Sequence, residues 1–290
     1  MPIYDCHVIP DRLQGLLRAD GVPIRVARAF NEEGHDLALV GGSVRDALLG
    51  RVQDDLDLDF ATSALPDDTL RIMRTVANDV FTVGQDFGTI GAIVDGIVCE
   101  VTTFRAEIYR DESRKPRVTY SDDIETDLSR RDFTVNATAL RLLPSPEVVD
   151  PHGGLVDLGR GVLQTPLDPE ISFGDDPLRM LRLYRFVSVL GFAADQGAVE
   201  AVGAMADRLD IVSAERIREE LDKLVVGDHV ETALWGLVDS GLAERFIPEL
   251  PALAMESDPQ HHHKDVLAHT IAVVGKCPPE RITRLAALFH

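Results

Sequence analysis

Leu37-Ala-Leu-Val-Gly-Gly-Ser-Val-Arg-Asp-Ala-Leu-Leu-Gly50 and, close behind it, Asp55-Leu-Asp-Leu-Asp-Phe60 decide the fold. In the first stretch an apolar run, Leu37 to Val40, meets Gly41-Gly42 and passes into a helix-forming segment, Ser43 to Leu49. Gly50 closes it as a glycine C-cap, so the stretch reads as strand, tight turn, helix. The second stretch alternates acid and apolar residue without a break. That places its aspartates on one face of a strand and Leu56, Leu58 and Phe60 on the other.

Working outward, Thr89 to Phe104 holds two β-rich runs around Asp95-Gly96, a strong hairpin signal. Strands and helices mix up to about Leu143, which predicts an α+β head with an antiparallel or mixed sheet. Turn-rich segments follow at Asp150-Pro-His-Gly-Gly154 and Pro166–Pro169, and from Phe173 helical periodicity takes over. Met180, Leu183, Tyr184 and Val187 fall on one apolar face, and Asp176-Pro177 reads as an N-cap with proline at the first helical position. The expected organisation is a head over 1–168, a helical neck over 169–230 and a helical body over 231–290.

Composition narrows the function classes. The 290 residues are 45% hydrophobic and 27% charged, ordinary usage for a globular chain. No apolar run approaches the roughly 18 residues that span a bilayer, and the N-terminus reads as no signal peptide. Cys6, Cys99 and Cys277 form no metal-type pair, which points to a reducing, cytoplasmic setting. The net charge of −20 opposes a protein that coats nucleic acid. Any RNA contact must therefore come from a local cluster of arginines. No membrane partner and no obligate protein partner is evident.

The chemistry-bearing residues follow. Two carboxylates two apart on a strand project side by side, an expensive pairing of like charges unless a cation sits between them. Mg²⁺ suits such a pair, taking one or two carboxylates and completing its shell with water and phosphate oxygens. A solvated edge-strand face is the plain alternative, and the register leaves Asp55/Asp57 or Asp57/Asp59 as the pair. Gly41-Gly42 before a helix can cradle a phosphate with backbone N–H groups, and Arg45 lies one turn in. Arg179, Arg182 and Arg185 recur every three residues on the helix whose other side is apolar. They read as a solvated stripe or, beside a triphosphate, as anion and base ligands. Glu100 shares a face with Val98 and Thr102 on the second hairpin arm, where a structural role is as well supported as a catalytic one.

Several longer segments carry a resemblance. They are Leu39 to Arg51, Asp57-Leu-Asp-Phe-Ala-Thr62, Glu100-Val-Thr-Thr-Phe-Arg105, Asp127-Leu-Ser-Arg-Arg-Asp-Phe-Thr-Val-Asn-Ala137 and Asp150 to Gly154. Asp175-Asp-Pro-Leu-Arg-Met-Leu-Arg-Leu-Tyr-Arg-Phe186 and Ala214-Glu-Arg-Ile-Arg-Glu-Glu-Leu221 complete the ordered set. Together they resemble class II tRNA nucleotidyltransferases (CCA-adding enzymes) and bacterial poly(A) polymerases. The resemblance implies Mg²⁺-dependent transfer of CMP and AMP from CTP and ATP to the 3′ end of tRNA, with poly(A) addition as the alternative. It implies that Asp57 and Asp59 hold the metal, and that Gly42, Arg45 and Arg131 hold the triphosphate. Asp176 and Arg179 would read the base, with Arg182 and Arg185 as further nucleotide ligands.

The match is not perfect. The stretch before the D-x-D is about two residues longer than usual, and Asp175-Asp176 stands where the family usually has Glu-Asp. Arg105 to Pro116 matches the loop associated with switching from C to A. His261-His-His-Lys-Asp265, with His269, resembles the start of an appended HD-type domain whose His-Asp dyad would be completed only beyond His290. The expectation there is the truncated start of such a domain with no working second metal site, and solvated histidines at a helix start are the plain alternative. An HD-type phosphohydrolase and an idle RNA-binding protein are the more distant readings.

Overall fold

The computed structural model describes residues 9–51, 57–109, 117–255 and 266–290. Asp55, the segment 110–116 and the run His261 to Asp265 lie outside the described residues. The chain divides into two compact units, Met1–Gly159 and Arg160–His290.

The first unit runs α1 (Val22–Glu32), β1 (Leu37–Val40), α2 (Gly42–Leu49), β2 (Leu58–Thr62), α3 (Pro66–Val76), β3 (Asp79–Phe81), β4 (Thr89–Val94) and β5 (Ile97–Thr103). It continues with β6 (Arg105–Tyr109), β7 (Arg117–Tyr120), α4 (Ile124–Ser129), β8 (Ala139–Arg141), β9 (Glu147–Val149) and α5 (Gly154–Arg160), the last reaching the boundary between units. Among the described residues seven strands form one sheet in the order β3-β4-β5-β2-β1-β8-β9. The β2–β5 pair is parallel and the other neighbours antiparallel, the mixed α+β sheet that the sequence predicts. β6 and β7 make a separate hairpin.

Local sequence explains the turns. β4 and β5 join through Asp95 (φ 52°) and Gly96 (φ 83°), both in the left-handed region that a two-residue hairpin with right-handed strand twist demands. β1 enters α2 through Gly41, whose φ of 68° and ψ of −133° no side chain tolerates comfortably, and Gly50 (φ 70°) ends that helix.

The alternation of β2 then sorts the two faces of the sheet. Leu58 and Phe60 point into the larger core with Leu37, Leu39 and Val101, covered by Phe30 of α1 and by Ile72 and Met73 of α3. The opposite face has a smaller apolar cluster, in which Val40, Ala61 and Phe104 meet Ile124 and Leu128 of α4. Asp59 lies between Leu58 and Phe60 and so belongs to this second face.

The second unit is helical: α6 (Pro169–Asp175), α7 (Leu178–Leu190), α8 (Gln196–Met205), α9 (Ala214–Val225), α10 (Val230–Asp239), α11 (Glu249–Ala252), α12 (Val266–Lys276) and α13 (Arg281–Leu288). A two-residue parallel strand pair, Val162–Leu163 with Ala193–Ala194, precedes the bulk of it. On α7 the expected face of Met180, Leu183, Tyr184 and Val187 is buried. The helix starts one position later than Asp176-Pro177 implied: Pro177 is the cap residue, and the Asp176 carboxylate accepts from the Leu178 N–H at 3.3 Å. Arg284, buried in α13, donates to the carbonyls of Val225 (2.8 Å) and Gly227 (2.6 Å), so it satisfies the open end of α9. Among the described residues no helix is long and apolar enough to cross a membrane.

Candidate active site

The polar face of the sheet carries the acids. Asp59 on β2 is the register partner of Glu100 on β5, so the two carboxylates stand side by side across a parallel strand pair. Asp57 sits just before β2 and is exposed. A cleft of about 250 Å³ opens here, walled by Asp59, Glu100 and Thr102 on the sheet and by Arg105, Asp127, Arg130 and Arg131 beside it. Burial pushes the Asp59 carboxyl up to about 6; Arg131 and, more weakly, Arg45 pull it down, while Glu100 and Asp57 push it further up. A half-desolvated acid with two like charges for neighbours is costly as an anion unless a cation compensates it.

That is the observation by which a divalent metal fits these residues. Among the described residues no three His, Cys, Asp or Glu side chains form a ready-made metal cluster. Two carboxylates suit a divalent ion that draws its other ligands from water and substrate phosphates.

The glycine turn faces the same acids. A Cβ built on Gly41 would lie 3.3 Å from Arg131 Nη1 and 3.6 Å from Asp59 Oδ2, so the bare backbone lets both close in. Arg131 is aimed by Asp127, which accepts from its Nη2 at 3.2 Å and lies 3.6 Å from Arg130 Nε. Asp127 also accepts from the Arg105 backbone N–H at 3.2 Å. The Arg105 guanidinium donates to the Phe87 carbonyl at 3.0 Å, and desolvation in the cleft wall lowers its pKa. One buried acid thus organises three arginines around the cleft. The sequence points to Arg131 and to the Gly41-Gly42 turn but gives no individual role to Arg105, Asp127 or Arg130. The spacing of Asp127, Arg130 and Arg131 at i, i+3 and i+4 was the available signal.

Arg45 is placed differently. Its Nε and Nη2 donate to the two oxygens of Asp46, both at 2.8 Å, and its Nη1 donates to Asn136 Oδ1 at 2.6 Å. Asn136 in turn donates to Asp132 at 2.9 Å. The turn that carries Asn136 is braced from below, where Thr134 donates to Asp157 at 2.7 Å. Asp150 fixes the neighbouring backbone by accepting from the N–H groups of Gly154 (2.7 Å) and Leu155 (3.0 Å). A Cβ on Gly154 would collide with the Thr134 carbonyl, which explains a glycine there. Gly42, within α2, stands next to this network, 3.6 Å from Arg45 Nη2 by the same construction.

In the second unit, Asp176 and Arg179 are each held by a neighbour. Asp176 Oδ2 accepts from Arg216 Nη2 at 2.8 Å, and Arg179 Nη1 donates to Ser172 Oγ at 2.9 Å and to the Ser172 carbonyl at 3.2 Å. Arg182 and Arg185 both reach Glu220, at 3.3 and 3.1 Å, and that carboxylate is only 4% exposed. Arg185 also lies over the Phe186 ring at 3.9 Å. The arginine stripe therefore has a buried acid behind it. Ser172, Arg216 and Glu220 were not singled out from sequence, because their partners come from other helices.

The family described as "Poly A polymerase head domain" matches residues 37–164, and "Probable RNA and SrmB- binding site of polymerase A" matches 191–253. A CCA-adding enzyme of Geobacillus thermodenitrificans is 38% identical over 234 residues, covering 80% of this chain and 55% of that protein. One from Anoxybacillus flavithermus is 39% identical over 229 residues, covering 78% and 55%. The crystal structure of the Bacillus stearothermophilus CCA-adding enzyme in complex with CTP superposes with a TM-score of 0.72 at 32% identity, covering 92% of this chain and 58% of that one. The chain thus spans about half the length of the curated relatives it matches.

Proposed function

We propose that this chain, whose residues 37–164 match the poly A polymerase head domain family, transfers CMP and AMP from CTP and ATP to the 3′ end of tRNA. The observation that carries this reading is the raised, partly buried Asp59 carboxyl beside Glu100, with Arg131 and the Gly41 backbone closing on it.

In this reading Asp57 and Asp59 hold Mg²⁺, with Glu100 on the same face. The ion would supply activation of the attacking RNA hydroxyl and stabilisation of the leaving pyrophosphate. Arg131 offers a preplaced guanidinium to the triphosphate, so charge building on pyrophosphate meets a donor that needs no reorganisation. Arg45 supports the same role from the Asp46–Asn136 network, and Gly42 brings the start of α2 to the phosphates. Asp176 accepts from the exocyclic amino group that C and A share and that U lacks, while Arg179 donates to the ring. Arg182 and Arg185 extend positive charge along the same helix. The free thiols of Cys99 and Cys277 suit a reducing cytoplasmic setting.

The test is incubation with tRNA lacking its 3′ terminus, Mg²⁺ and labelled CTP or ATP, followed by sequencing of the ends. Ends finished as CCA are expected. A long A tract would shift the assignment to poly(A) addition, and no incorporation with either nucleotide would sink the reading.

A further inference from the structure

The two base-reading side chains meet partners that have no part in the proposed chemistry. Asp176 connects α6 to α7, and its carboxylate is tied at both ends. Oδ1 accepts from the Leu178 N–H at 3.3 Å, and Oδ2 accepts from Arg216 Nη2 at 2.8 Å. Arg179, in the first turn of α7, is tied through Nη1 to the hydroxyl and carbonyl of Ser172, a residue only 2% exposed. Arg216 comes from the first turn of α9, the helix that one turn later offers Glu220 to Arg182 and Arg185. So α9 presents a cation and an anion, four residues apart, to Asp176 just before α7 and to Arg182 and Arg185 within it.

From this juxtaposition we infer that Arg216 and Ser172 are positioning residues that set the direction of Asp176 and Arg179 before a nucleotide arrives, and thereby set base selectivity. The inference rests on the proposed reading of Asp176 and Arg179. It adds where their selectivity comes from.

The physics follows from hydrogen-bond inventory. A carboxylate has about four acceptor directions, so bonds to Leu178 and Arg216 leave each oxygen one direction for an amino group. A guanidinium has five donors in a rigid fork, so anchoring Nη1 on Ser172 fixes where the remaining fork points. Selectivity for C and A over U requires an acceptor held still at one place. A carboxylate that can swing would meet more than one base edge. Ordering a side chain on binding costs about 0.5–1.5 kcal/mol, so losing one anchor should relax discrimination by about 2- to 12-fold. Arg216 is 44% exposed and Asp176 21%, so the pair is reachable and not a sealed core bridge.

The measurement is equilibrium binding of CTP, ATP, UTP and GTP to the full chain with Mg²⁺, alongside inorganic tripolyphosphate. The variants are Arg216→Ala, Arg216→Lys and Ser172→Ala, with folding checked by circular dichroism. Expected is a CTP-over-UTP preference reduced about 2- to 12-fold in Arg216→Ala and Ser172→Ala, with tripolyphosphate affinity unchanged and with partial rescue in Arg216→Lys. A folded Arg216→Ala protein with the parental preference would overturn the inference, since a merely structural pair would leave selectivity alone. Should that variant unfold, Arg216→Gln and Ser172→Ala decide by the same ratio. If the parental protein itself binds all four nucleotides alike, the base-reading assignment of Asp176 and Arg179 fails first, a result distinct from failure of the anchors.

Discussion

Acids in the sheet cleft and acids on the α7–α9 face live under opposite conditions. In the cleft, Asp59 is partly buried and has Glu100 and Asp57 as like-charged neighbours, which leaves its carboxyl pushed up to about 6 despite Arg131. In the second unit, Glu220 is more deeply buried but shared by two arginines, and Asp176 is matched with Arg216. One region holds a charge that its arginines offset only in part and that a cation would relieve. The other spends its charges on one another and gains fixed geometry. Burial of an acid does not by itself mark chemistry; its unbalanced surroundings do.

The contrast can be broken most sharply at Asp59. Asp59→Asn keeps size and removes one charge. Because several kcal/mol of transition-state stabilisation are ascribed to the metal it would hold, CMP incorporation should fall at least about a thousandfold while the fold stands. Labelled-nucleotide incorporation measures it. If Asp55→Asn abolishes incorporation and Asp59→Asn spares it, the acid pair has been placed in the wrong register.

The balanced region should respond in stability. Glu220→Gln leaves Arg182 and Arg185 without their buried counter-charge, and a lost charge-assisted partner costs about 1–3 kcal/mol. At roughly 2–4 °C per kcal/mol for a chain of this size class, thermal unfolding should move down by several degrees. An unchanged melting temperature would mean that the Glu220 pairing contributes no net stability, and the contrast between regions would lose one side.

Gly41 tests how tightly the cleft is drawn. Gly41→Ala must hold a side chain at positive φ, at about 1–2 kcal/mol, and its methyl would press on Arg131 and Asp59. Weaker affinity for every nucleoside triphosphate is expected, equally across the four bases. A change confined to one base would show that this turn does more than admit phosphate.

These expectations also show what the sequence could and could not disclose. The strand–turn–helix at Gly41, the Asp95-Gly96 hairpin and the buried side of α7 were legible because each depends on neighbours within a few residues. Asp59 and Arg131 were visible as residue types in ordered motifs. Of their partners only Glu100 was weighed, and without its place in the sheet. Glu100 opposite Asp59 depends on which strands pair, and Arg216 and Ser172 depend on how three helices pack, neither of which local periodicity encodes. Arg45 shows the limit from the other side. Its motif implies a phosphate ligand, and only the tertiary network reveals that its fork is engaged by Asp46 and Asn136.

The smallest effect is the control that gives the others meaning. The chain carries a net charge of −20, so every acid-to-amide change relieves the same overall repulsion by one unit. Asp95→Asn is such a change in the open: its ion pair with Arg25 spans 2.7 Å, with the two side chains 59% and 38% exposed. Exposed pairs are screened and contribute about 0–1 kcal/mol. Asparagine also tolerates the φ of 52° at this turn, so the hairpin loses nothing else. Asp95→Asn should therefore leave both incorporation and melting temperature nearly unchanged, read in the same two assays as Asp59→Asn and Glu220→Gln. The three variants are matched in net charge and differ only in surroundings. If Asp95→Asn moved activity or stability as far as either of the others, global charge would be the cause, and the distinction between a partly offset and a balanced acid would fall.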